Sequence, residues 1–213
     1  MHPNPVYRQA TPANNLDFAR DQGFGMLAVS TPDAPVLSHI PFLLDETGNS
    51  AEFHLVRSNP IARALRNGPL PAKIAVQGPH AYLSPDWYEL DDQVPTWNYV
   101  AVHLTGTIET LPDTEMRPLL ERISAFHESR LLPKPEWLLD KMPDDLVDRM
   151  MRQIIPCRMT VTAVDGTWKL AQNKPEYARL NAARAMDAAN IGQDARLLAA
   201  LMHRPPEPDG QQQ

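Results

Sequence analysis

The 213 residues, 43% of them hydrophobic, suffice for one sizeable core, and one domain is expected. With 20 basic against 26 acidic residues the formal charge is −6, which gives no general attraction to nucleic-acid phosphates. The single cysteine, Cys157, excludes an intramolecular disulfide and a Cys-based zinc site, and no signal-like apolar start or run of ~20 apolar residues occurs, so a cytoplasmic protein without a membrane span is expected.

Along the chain, "NNLDFARDQGF" predicts a short helix with Asn15 as its cap and Gly23 as its stop. "FGMLAVS" reads as a strand. "PVLSHIPFLLD" alternates Val36, Ser38, Ile40, Phe42 and Leu44 against Leu37, His39 and Leu43, the pattern of a strand buried on both sides. After the turn "DETGNS", "AEFHLV" predicts the returning strand, and "SNPIARALRNG" a cap, a short helix with Pro60 in its first turn and a Gly68 stop. "PAKIAVQG" and "HAYLS" predict two short strands around a Gly78-Pro79 turn.

"WNYVAVHLTGTIE" carries the clearest alternation, with Val100, Val102, Leu104 and Ile108 on one face and Tyr99, Ala101, His103, Thr105 and Thr107 on the other, as a central barrel strand requires. A helical insertion follows over about 113–152, its stripe set by Leu119, Leu120, Ile123 and Phe126. "CRMTVTAVDGTWKLAQ" returns to strand with a hairpin-like break at Asp165-Gly166. C-terminal helices are expected over about 176–203 and a polar, disordered tail over 206–213, leaving 1–205 as the domain.

Residues 78–108 gather two Trp, three Tyr, three Pro and two His. Such rings and polar tips close a core or line a slot for a planar ligand. His39, His54 and His103 all fall within strands, where metal ligation and a structural role are both open; no helical His spacing favours the metal. Cys157 reads as a small buried apolar group in preference to a nucleophile. At a strand end, Arg57, Ser58 and Asn59, with Arg63 in the next helix, suit a phosphate monoester or make an ordinary capped helix with surface arginines. Trp168, Lys169, Gln172, Asn173 and Lys174 could hydrogen-bond a heterocycle, or merely cap the helix that follows. No nucleophile elbow or phosphate-binding glycine loop occurs.

The ordered segments "SHIPFLLD", "HLVRSNP", "VQGPHAYLSPDWY", "VPTWNYVAVHLTG" and "KLAQNKPE" cover most of the chain and resemble the PaiB-type FMN-binding family, whose members are labelled negative transcriptional regulators of protease synthesis and sporulation. The resemblance implies an α+β, mainly β fold: a split β-barrel of the FMN-binding and pyridoxamine phosphate oxidase-like type with peripheral and C-terminal helices. It also implies a homodimer with FMN at its interface. Carried onto this sequence, it gives Ser38, His39, Ile40 and Pro41 at the flavin edge and Arg57, Ser58, Asn59 and Arg63 at the phosphate. Asn98 comes from the long strand, and Lys169, Gln172, Asn173 and Lys174 arrive from the partner. Val56-Arg57 and Ala62-Arg63 stand where split barrels usually carry Thr-Asn and Ser-Lys. Three readings follow: an FMN-dependent oxidoreductase or flavin reductase, an FMN-responsive regulator, and a haem-binding or cofactor-free relative acting as a transcriptional regulator. Direct DNA contact lacks a recognisable helix-turn-helix segment.

Overall fold

The structure is a computed structural model and describes residues 1–206; the expected tail, apart from Pro206, lies outside the described residues. In chain order the elements are α1 (Pro12–Gln22), β1 (Phe24–Val29), β2 (Val36–Pro41), β3 (Leu43–Leu44), β4 (Ser50–Val56), α2 (Pro60–Ala64), β5 (Leu70–Leu83), β6 (Thr96–Thr110), α3 (Met116–Glu128), α4 (Asp144–Met151), β7 (Ile154–Lys169), α5 (Glu176–Ala189), β8 (Gly192–Gln193) and α6 (Ala195–His203). The eight strands hydrogen-bond in the order β2-β1-β5-β6-β7-β4-β3, with β8 added on β5. The fold is thus α+β and mainly β. Backbone contacts divide the chain into two compact units, one of residues 1–18, 76–103 and 164 onward, the other of Ala19–Ala75 and Leu104–Ala163. Strands β5, β6 and β7 each contribute residues to both.

In the second unit, β1 pairs antiparallel with β2 and β5, and β4 pairs antiparallel with β3 and β7. Its fully buried side chains include Leu27, Ile40, Phe42, Phe53, Ile74, Leu104, Ile108, Leu119 and Met159. The helical insertion appears as α3 and α4, and Met116, Leu119 and Ile123 form the buried stripe of α3. Leu120 and Phe126, expected in that stripe, are half-buried at its margin. Gly106 explains how β6 and β7 come so close: a Cβ there would stand 2.0 Å from the carbonyl oxygen of Thr160. Asn59 caps α2 by accepting from the Ile61 amide at 2.8 Å, and Pro60 opens the helix, as the sequence predicts.

In the first unit, Leu83, Tyr88, Val100, Trp168, Leu170, Met186, Leu198 and Met202 share one core. Ala178, Ala182 and Ala183 are fully buried on α5, where small side chains let a neighbouring helix approach closely, and Arg179 donates to the Met202 carbonyl of α6. On β6, Val100 and Val102 are buried while Tyr99 and Ala101 are half-exposed, which is the alternation read from the sequence.

Four local expectations are corrected. Asn15 does not cap α1; Thr11 does, its hydroxyl accepting from the Asn14 amide at 3.0 Å, while Asn15 is buried inside the helix and accepts from the Trp168 indole at 2.8 Å. Gly166 is not a hairpin turn, because β7 runs through it unbroken: a Cβ there would lie 1.9 Å from Asn15 Oδ1, so the glycine clears space for that side chain. Gly78-Pro79 is likewise interior to a single strand β5, with Phe18 and Val100 2.6 and 3.1 Å from the absent Cβ. Finally, β2 is not buried on both sides. It ends the hydrogen-bonded order, and Leu37 and His39 stay exposed while Ile40 is buried. Periodicity could not separate a glycine needed for a turn from one needed for close packing. The short strand β8, paired with β5 at His80 and Ala81, carries no sequence signal of its own.

Candidate functional site

The residues expected at a cofactor fall into two groups, one in each unit. In the second unit the end of β2 and the loop before α2 meet directly: Asn59 Nδ2 donates to Ser38 Oγ at 3.0 Å, while Asn59 Oδ1 is held by the Ile61 amide. The motifs "SHIP" and "RSNPIAR" are thus brought together by one side chain serving both. His39 points to the exposed face and stacks on Phe24 with ring centroids 6.3 Å apart; Ile40 is buried and Pro41 half-buried.

The arginines of this region differ in commitment. Arg57 donates through Nη2 to both carboxylate oxygens of Asp113 at 3.1 and 3.2 Å and through Nε to the Arg152 carbonyl at 2.8 Å. Clefts of about 310 and 270 Å³ flank this pair, the larger beside Arg117, Met151 and Arg152, the smaller beside Leu65, Arg66 and Leu111. Arg63 and Ser58 are exposed, and no side-chain partner engages either among the described residues. Arg63 therefore carries the uncompensated positive charge nearest the Ser38–Asn59 link in sequence, whereas Arg57 is largely neutralised.

In the first unit the motif "WKLAQNK" leaves β7 as a tight, internally tied loop. Ala171 holds φ at +61°, a conformation costly for a residue with a Cβ. Gln172 spans the bend, accepting from the Leu170 amide at 2.9 Å and donating to the Trp168 carbonyl at 2.5 Å. This fixes where its neighbours project. Lys169 Nζ donates to Thr96 Oγ1 at 2.5 Å and sits 5.9 Å from the Tyr7 ring centre. Lys174 Nζ donates to Gln93 Oε1 and sits 5.5 Å from the Tyr88 ring centre. Asn173 Oδ1 accepts from the Tyr7 hydroxyl at 2.9 Å.

Electrostatics in this loop follow from burial. Burial lowers the pKa of Lys169, raises that of Tyr7, and pushes Tyr88 up to about 12, with the nearby Tyr7 adding to the last shift. Both tyrosines stay neutral hydrogen-bonding groups at any physiological pH. Asn98 stands apart from this group: it is buried, its Nδ2 donates to Met202 Sδ at 3.4 Å under α6, and its Oδ1 has no partner. Its neighbour Trp97 is 47% exposed and meets His80 and Tyr82 at ring distances of 5.6 and 6.3 Å. The rings of 78–108 thus divide, with Tyr88 in the core and Trp97, His80 and Tyr82 forming an accessible rim.

Tyr7, Gln93 and Thr96 are the members that sequence reasoning missed. Tyr7 lies in "NPVYR", remote in sequence from every motif, and only tertiary packing brings it to Asn173. Gln93 and Thr96 lie within the aromatic stretch but are outweighed there by its rings. As for metals, no group of three or more His, Cys, Asp or Glu side chains among the described residues is arranged to hold one. His54, whose Nδ1 is buried without a partner, has its pKa lowered by burial, and Cys157 is pushed up to about 12 by the same cause, which makes it an inert thiol.

Comparison with known proteins places the chain in a family. The chain is 27% identical over 184 residues to the protease synthase and sporulation protein PAI 2 of Bacillus subtilis, covering 83% of this chain and 85% of that protein. An uncharacterised protein of Emericella nidulans is 25% identical, covering 92% and 93%. Among solved structures, the FAD and heme binding protein of Mycobacterium smegmatis aligns with a TM-score of 0.54 at 15% identity over 76% of this chain and 73% of its own. The flavocytochrome Anf3 of Azotobacter vinelandii aligns with a TM-score of 0.54 at 9% identity over 79% and 72%. At such identities the likeness shows the fold alone, that of the flavin-binding split barrels. The family described as "Putative FMN-binding domain" matches residues 1–163. By that match, and with a PaiB protein among its relatives, the chain belongs to this family of FMN-binding domains.

Proposed function

We propose that the protein is a homodimeric FMN-dependent redox protein of the cytoplasm, with the flavin phosphate held in the second unit. The observation that carries this reading is the Asn59–Ser38 hydrogen bond at 3.0 Å, which joins the β2 segment to the α2 loop one turn before an arginine, Arg63, that no carboxylate neutralises among the described residues. The donor set fits FMN. A phosphate monoester calls for a guanidinium and hydroxyls still free to donate, which Arg63 and Ser58 supply, and a flavin edge calls for hydroxyl and backbone groups such as those of Ser38 to Pro41. FMN, when bound, supplies an isoalloxazine that takes up and releases electrons; the protein's part is binding, orientation and electrostatic tuning. Homodimerisation is supported by the accessible aromatic rim of His80, Tyr82 and Trp97, since exposed rings of this kind mark interfaces.

A flavin-responsive regulatory role is the second reading, favoured by the name of the Bacillus subtilis relative, which ties that protein to protease synthesis and sporulation. Absorbance of the freshly purified protein, followed by titration with FMN and riboflavin, tests the flavin. A flavin doublet and tighter binding of FMN than of riboflavin are expected; a Soret band or failure to bind either flavin overturns it. Turnover with reduced nicotinamide then supports the redox reading, and flavin-dependent DNA binding without turnover supports the regulator.

A further inference from the structure

We propose that Lys169 and Lys174 form a built anion subsite in the first unit, which takes the carboxylate or phosphate of a small organic anion other than the flavin. Three features carry this. First, each ammonium is anchored by a neutral oxygen, Lys169 by Thr96 Oγ1 and Lys174 by Gln93 Oε1, and among the described residues no carboxylate pairs with either. The anchors orient the charges without cancelling them. Second, both lysines are partly buried, and a cation withdrawn from water without a counter-ion is costly unless something compensates it. The rings of Tyr7 and Tyr88, at 5.9 and 5.5 Å, supply only a part of that compensation.

Third, the two lysines flank the same loop and share the neighbour Tyr7. The loop is bent at Ala171 and tied across by Gln172; Tyr7 bonds to Asn173 next to Lys174 while lying under Lys169, and Tyr7 is near enough to Tyr88, the ring beneath Lys174, to add to its raised pKa. The Asn173 amide nitrogen remains as a further donor, its Oδ1 being occupied by Tyr7. Two ammoniums and an amide around one loop are donors in excess of acceptors, the composition of an anion site. The inference rests on the proposed function only in placing the flavin phosphate in the second unit, which leaves this pair for a second ligand.

Competitive acylation of the full-length protein tests it, with lysine modification read by mass spectrometry and the exposed Lys73 as internal reference. The probes are acetate and inorganic phosphate, each against sodium chloride of equal ionic strength, with and without bound FMN. At a probe concentration about twice the half-saturating one, acylation of Lys169 and Lys174 should fall to about one third of its rate, the unoccupied fraction of a single site. Lys73 should be unaffected, and Lys174→Met should remove the protection of Lys169. Equal slowing of all three lysines, or equal slowing by chloride, overturns the subsite. Protection by FMN but not by riboflavin, acetate or phosphate also overturns it, by giving the pair to the cofactor. Failure of the flavin reading appears separately, as an absent flavin spectrum, while protection by acetate or phosphate in the flavin-free protein stands by itself.

Discussion

Arg57, Arg122 and Arg158 of the second unit and Lys169 and Lys174 of the first are handled in opposite ways. In the second unit Arg122 and Arg158 close on the two oxygens of Glu52 at 2.6 and 2.7 Å, Arg57 meets Asp113, Arg117 meets Asp144 and Asp148, and Arg130 meets Asp21. In the first unit Arg8, Arg179 and Arg196 likewise meet Asp165, Glu176 and Asp187, but Lys169 and Lys174 are placed against neutral oxygens. A cation matched to a carboxylate has its partner inside the fold and serves to hold elements together. One oriented by a hydroxyl or an amide keeps its charge available to a ligand. This contrast sets cations that hold elements together apart from cations left for a ligand.

It is broken most severely by removing the frame that presents the lysines. Trp168 is 6% exposed, packs in the first unit's core and donates its indole N–H to the buried Asn15. Trp168→Ala should cost about 3–5 kcal/mol, as large-to-small core changes do. Trp168→Phe should cost about 1–3 kcal/mol, because it strands Asn15 Oδ1. Thermal or urea unfolding measures both, and a Phe variant as stable as the wild type would show that the indole–Asn15 bond adds nothing net to stability.

The next effect belongs to the second unit. Glu52→Gln should destabilise by about 1–3 kcal/mol, because two guanidiniums lose a charged acceptor that is mostly shielded from water. Burial alone would raise the Glu52 pKa, but hydrogen bonds from Arg158 and Arg122, with their charges, bring it below the ordinary carboxylate value. The stability it contributes is therefore fully present above the unfolded-state pKa and is lost as the pH falls through the lowered folded one. Unfolding curves of wild type and Glu52→Gln should converge over that acidic window; a difference that stays constant with pH would show that packing, not charge, holds Glu52.

Flavin affinity tests the same distinction between committed and available arginines. Arg63→Ala should weaken FMN by roughly 10- to 150-fold, the range for losing a charge-assisted contact of about 1.5–3 kcal/mol, and leave riboflavin unchanged. Arg57→Ala should act mainly on stability, by about 0–1 kcal/mol, since its ion pair is exposed at the surface. Titration of both variants with both flavins decides which guanidinium meets the phosphate, and the reverse ranking would mean that ligand binding pulls Arg57 away from Asp113.

Much of this was legible in the sequence where the signal is periodic. The alternation of Val100, Val102, Leu104 and Ile108 and the Asn59-Pro60 start of α2 lie where the pattern places them, because burial and capping act locally. Gly78, Gly166 and Asn15 misled for a common reason. Their roles are set by atoms far away in sequence, Phe18 against Gly78 and Asn15 against Gly166, and a glycine that clears space looks the same in sequence as one that turns the chain. For the site, the motif "WKLAQNK" was visible, but what distinguishes its lysines was not. That depends on Tyr7, Gln93 and Thr96, which only the tertiary fold brings to them.

The smallest expected effect on stability is also the most discriminating. Lys169→Met keeps the length of the side chain and removes a partly buried charge whose pKa burial has lowered. A cation that held the fold together would have its pKa raised by a partner, and its loss would destabilise at neutral pH. Here the sign is opposite: the folded state binds its proton less tightly than the unfolded chain does. Wild-type stability should therefore rise with pH from the lowered folded pKa up to the unfolded-state value. The Met variant should lack that rise and match or exceed the wild type at neutral pH, within about 1 kcal/mol, since an apolar group replaces a costly charge held only by one hydroxyl and a ring contact. Adding phosphate or acetate should stabilise the wild type and leave the variant unmoved, because a ligand that binds only the folded state shifts unfolding by mass action. A Met variant that is strongly destabilised at neutral pH, with an unchanged response to anions, would make Lys169 a structural cation after all and erase the contrast between it and the paired arginines.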